Sequence, residues 1–106
     1  MALGQLDAEI GALRSVLAHA AAAADAGSAE WTRESAWTLA LRVRNLVYRG
    51  AQRIQQLSRE LAGPAALTGD ASFAKADTDL TVYLSQHHGP RDEAALGDDL
   101  LREWAQ

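Results

Sequence analysis

Cysteine is absent from this chain, so neither a disulfide scaffold nor thiolate chemistry is open to it. The same absence fits a reducing cytoplasm, where we expect the protein. Long apolar runs are missing as well. The alanine-rich stretch at residues 18–24 is too short and too weakly apolar to span a bilayer. No secretory leader is visible, since Asp7 and Glu9 stand where a basic n-region would be. Signature motifs are few: there is no GxSxG, no Walker motif, no HExxH and no glycine-rich phosphate loop. Net charge is -4, which argues against a nucleic-acid partner.

What remains is helical and apolar. The chain has 106 residues, of which 48% are hydrophobic. That is enough for one domain, residues 1–106, and too little for two. Leu3, Leu6, Ile10, Leu13, Leu17, Ala20 and Ala24 recur at three- and four-residue steps, which predicts a helix over about 3–26. Gly27 can stop it and Ser28 can cap the next. A second helix is expected over about 29–62, roughly 50 Å long. Its stripe is Ala36, Leu39, Val43, Leu46, Gly50, Ile54, Leu57 and Leu61, and Trp37, Leu41 and Tyr48 add a second apolar face. Gly50 inside it points to a close helix contact or a kink. Gly63 and Pro64 end that helix, and residues 63–70 read as a loop.

Asp70 or Ser72 can cap a third helix, about 71–88, with Phe73, Ala76, Leu80, Tyr83 (or Leu84) and His87 on one face. Gly89 and Pro90 break the chain before a fourth, about 90–105, whose buried side is Leu96, Leu100, Leu101 and Trp104. The expected fold is an all-α antiparallel four-helix bundle, two long helices followed by two shorter ones.

Charge is unevenly placed. Arg33, Arg42, Arg44, Arg49, Arg53 and Arg59 sit in the middle of the chain, and the part after residue 69 is acidic. Two uses are expected: neutralisation within a bundle or across a dimer, or an anion site on the arginine side. Arg42, Arg49 and Arg53 form a stripe that suits a phosphate or a cofactor phosphate. His87, His88, Tyr83 and Asp92 form a candidate acid–base cluster, because imidazole titrates near neutrality. The two histidines point about 100° apart on a helix, and no HxxxH or ExxH spacing surrounds them, so no metal site is expected. Trp31, Trp37, Leu41 and Tyr48 are candidates for a protein interface.

The order of these pieces resembles a known family. A helix with an alanine-rich DAG end, then WTLALRVRNLVYRGAQRIQQLSRELAG, then VYLSQHHGPRDEAALG, is similar to the C-terminal helical domain of acyl-CoA dehydrogenase-like flavoproteins. The resemblance covers roughly residues 5–97 and is most specific over 83–97, the YLxQHHxxRDxxxLG pattern. It implies FAD and an acyl-thioester substrate, and a bundle that takes part in oligomerisation. The family's N-terminal and middle β domains are not in this sequence, nor is an obvious YEGT-type catalytic glutamate. FAD is therefore expected only with a flavin-bearing, dehydrogenase-like partner. The protein would be that partner's small helical subunit, in a homodimer or a heteromer. Two alternatives are a non-catalytic interaction module, or a stand-alone isomerase or cyclase using the acid–base cluster.

Overall fold

The computed structural model describes residues 1–26, 33–86 and 89–105, with side chains except at 33 and 34. The fold is all-helical, with no strand among these residues. The helices are α1 (Ala2–Ala26), α2 (Arg33–Ala62), α3 (Pro64–Gly69), α4 (Ala71–Ser85) and α5 (Gly89–Ala105). The expected starts and stops at 27–29 and 87–88 lie outside the described residues.

Helix α3 was not expected; 63–70 reads as a loop. Gly63 takes a φ of 77°, which only glycine adopts without strain, and turns the chain out of α2. Pro64 then starts a new turn, since its fixed φ is already helical and its missing N–H is not needed there. Asp70 closes the passage by accepting the Phe73 backbone N–H at 3.0 Å, the cap expected for the next helix.

Helix α2 is the hub. It meets α1, α3, α4 and α5, whereas no Cα of α1 comes within 8 Å of one in α4 or α5. On the α5 side, Thr38 near the start of α2 meets Asp99, whereas Arg44 and Arg49 further along meet Asp92 and Glu93 in the first turns of α5. On the α4 side, Gln55 and Arg59 both reach Asp77 and Thr81. So α5 is an arm laid along the first half of α2, and α4 is one laid along its second half. Helix α1 packs along α2, with Leu13 over Gly50.

The core is thin. Leu41 and Leu57 are fully buried and Leu84 nearly so, and these are the buried large apolar side chains among the described residues. Several expected seams are shifted. In α1, Leu3 and Leu17 face outward, and Val16 is half-buried instead. In α4 the inward residue is Leu84, one of the two expected there, and Tyr83 is exposed. In α5 the expected core residues Leu101 and Trp104 are 61% and 77% exposed. A helical period marks an apolar face, but whether another helix covers it depends on the tertiary partner. Here the partner surface ends short of these residues.

The shape reflects this. The radius of gyration is 17.0 Å, against about 13 Å for a compact domain of this length. The accessible surface is 7517 Å², against about 5,700 Å² for a folded monomer of this mass.

Candidate functional site

Two features stand out, the joint that fixes α5 on α2 and the groove between α1 and α2. The joint begins at Gly89, where a methyl would lie 2.7 Å from Tyr48 Cε1. Only a residue without a side chain lets the ring of Tyr48 pack against the start of α5. One turn on, Asp92 is 6% exposed, and its Oδ2 accepts from Arg44 Nη2 at 2.9 Å. It lies in the first turn of α5, where the positive helix end also favours a carboxylate. Beside it Arg49 donates from Nε and Nη2 to Glu93 Oε1 at 2.9 and 2.7 Å. Asn45, one position beyond Arg44, is buried with its Oδ1 lacking a donor among the described residues.

Further along α2, Arg59 binds Asp77 with both ends of its guanidinium, at 2.7 and 2.8 Å. Gln55 Nε2 adds bonds to Asp77 Oδ1 at 3.3 Å and Thr81 Oγ1 at 2.7 Å. The Arg59 hydrogen bonds hold the Asp77 carboxyl below the usual carboxylate range, against an opposing desolvation effect. A depressed native pKa stabilises the fold above the unfolded carboxylate's value and loses that contribution as pH falls through the native value. Asp77→Asn is therefore expected to melt below wild type at neutral pH. That gap should close as pH drops below about 4. Thermal melts of both proteins across acid pH check it; a gap that stays constant would show that the charge is not its source.

The central arginines and acidic tail thus neutralise one another within the chain, through Arg44, Arg49 and Arg59 with Asp92, Glu93 and Asp77. The sequence gives this charge balance but not the pairing. Arg44, Gln55 and Asn45 were not singled out by it. Gln55 and Asn45 are uncharged, and Arg44 belongs to a run of similar arginines.

The groove is a cleft of about 310 Å³ lined by Glu9, Ala12, Leu13 and Val16 of α1, and by Leu46, Arg49, Gly50 and Arg53 of α2. Gly50 is its floor and the close contact foreseen: a methyl there would sit 2.7 Å from Leu13 Cδ2. Of the arginine stripe, Arg49 and Arg53 reach this groove. Arg53 bonds only Gln56 Oε1, at 3.1 Å, and Arg42 is exposed with no carboxylate partner among the described residues.

The acid–base candidates are less closely tied. Asp92 is committed to Arg44, Tyr83 is 54% exposed on α4, and His87 and His88 lie outside the described residues. Of the interface candidates, Trp37 is half-exposed, Leu41 is fully buried inside the chain, Tyr48 packs on Gly89, and Trp31 lies outside the described residues. Among the described residues no three His, Asp or Glu side chains gather as a metal site would need, and no helix is long and apolar enough to cross a membrane. No protein-family model matches the chain, and neither does any curated protein or solved structure.

Proposed function

We propose that this chain is the helical subunit or domain of an acyl-CoA dehydrogenase-like flavoenzyme, working with a flavin-bearing partner on an acyl-thioester substrate in the cytoplasm. The observation that carries this reading is the unpaired apolar surface. The chain exposes about 1,800 Å² more than a monomer of its mass needs. It exposes Leu3, Leu17, Trp37, Leu46, Leu61, Leu101 and Trp104 along α1, α2 and α5. Such a surface suits a part that is completed by another. The antiparallel four-helix bundle expected of the chain's own helices belongs to the same proposal.

The stretch most like the family, residues 83–97, supports the same reading. Its Gly89, Asp92 and Glu93 form the joint onto α2. FAD phosphates would find Arg42 and Arg53 without carboxylate partners among the described residues, and the isoalloxazine would be held by the partner.

The reading is tested by capturing the tagged chain from the cells that make it. The expected eluate carries a flavin spectrum that bleaches when acyl-CoA is added, while the purified chain alone, soaked in FAD and desalted, stays colourless. A captured complex without flavin would overturn it. That outcome would favour the second reading, a non-catalytic helical interaction module, which the use of Asp77, Asp92 and Glu93 as ties between helices also fits.

A further inference from the structure

Helix α5 brings almost no enclosed apolar surface to its contact with α2. Its buried residues are Gly89 and Asp92, while Leu96 and Leu100 are half-buried and Leu101 and Trp104 face outward. Helix α4, by contrast, buries Leu84. The ties of α5 are polar: Arg44 with Asp92, Arg49 with Glu93, and Thr38 with Asp99 at 3.5 Å. Among the described residues α2 is also the one helix that α5 meets.

Beneath these ties lies Asn45. Thr38, Asn45 and Arg49 follow one another at seven- and four-residue steps, and Tyr48 is three beyond Asn45, so the four share one face of α2. Thr38, Tyr48 and Arg49 all touch α5, which places Asn45 under it. Its Oδ1 is enclosed without a donor among the described residues. A buried acceptor of this kind has lost its hydrogen bonds to water and gained none in exchange, which favours any state that lets water back in. Lifting α5 is the motion that does so.

We propose that α5 is a strap that opens off α2 as one unit, and that Asn45 is the residue that keeps its seat weak. In the open state α1, α3 and α4 stay on α2, since none of them contacts α5 among the described residues. Opening uncovers Leu41, Asn45 and Tyr48, and frees Arg44 and Arg49 beside them. That is an apolar strip edged by cations. Closed, α5 masks the strip with its own carboxylates, Asp92 and Glu93. No flavin and no partner enters this motion, so its test is independent of the flavoenzyme reading.

Hydrogen exchange of the intact chain, read amide by amide under rising urea, tests the proposal. The amides of residues 93–105 are expected to share one opening constant and one urea slope. They should open at least about a hundredfold more often than amides at the centre of α2. Asn45→Leu keeps the branching of the side chain at Cγ and removes its polar atoms. It is expected to slow the shared exchange of α5 at least about tenfold. Should that variant not fold, Asn45→Met, flexible enough to fit a tight seat, replaces it with the same expectation.

Protection that declines steadily toward residue 105, each amide with its own constant, is the fraying of a chain end and overturns the proposal. So do α5 amides as slow as those at the centre of α2. Exchange that is unchanged or faster in the Asn45 variant overturns it too, since a water would then serve Oδ1 in the closed state.

Discussion

Leu41→Ala is expected to lower the melting temperature by roughly 15 °C, an effect that among single truncations only Leu57→Ala should match. Truncating a buried leucine to alanine costs about 2–5 kcal/mol, through lost transfer energy and the cavity left behind. A small domain has only about 5–15 kcal/mol in total. In most domains many core residues share that burden. In this one Leu41, Leu57 and Leu84 carry the fully enclosed apolar contacts among the described residues. Leu41 lies on the stretch of α2 that receives α5, between Thr38 and Arg44. Leu57 lies where α4 is tied down, between Gln55 and Arg59. Leu57→Ala should therefore cost about as much as Leu41→Ala, also about 2–5 kcal/mol. Leu3→Ala, at a site 67% exposed, should shift stability by less than about 0.5 kcal/mol. Thermal and urea melts of the three variants decide the matter. Equal losses for Leu41 and Leu3 would mean that the core lies elsewhere.

The second large effect is expected at the joint. Arg44→Met should destabilise the fold by about 2–3 kcal/mol, because it leaves the Asp92 carboxylate enclosed with no cation. The Asp92 side chain is only 9% exposed, whereas that of Arg44 is 43% exposed. The two partners are thus not equivalent. Asp92→Leu leaves an arginine that water can still reach, and it should cost less than Arg44→Met. The double variant, Arg44→Met with Asp92→Leu, should recover most of the loss, since no charge is then buried. Urea denaturation of the two singles and the double closes the cycle. If Arg44→Met were harmless, the helix N-terminus alone would suffice to hold the carboxylate.

Helix breaks were legible from the sequence because they depend on local chemistry. Gly63 with Pro64 ends α2 and Asp70 caps α4 where they were expected to, whereas α4 stops at Ser85 and Gly89, expected to close it, opens α5. Helix α3 escaped because six residues after a proline give no periodicity to read. Burial was less legible, because it depends on distant partners. Leu41 and Leu101 look alike in a periodic pattern, yet α5 covers the stretch around Leu41 and no helix covers Leu101. The acidic character of the tail and the basic character of α2 pointed to their mutual neutralisation. Which arginine takes which carboxylate follows from where α4 and α5 lie along α2, and that appears only once the helices are placed.

Apart from α3 resting on α4, every contact between helices among the described residues runs through α2. The molecule is wired as spokes on an axle, with no ring of contacts closing around it. A peripheral helix can leave and take only its own contacts with it. Damage to α2, by contrast, releases all the others at once. Information also has a single route: occupancy of the groove can reach the arm only along α2. Arg49, which lines the groove with one hand and grips Glu93 with the other, is the shortest span of that route.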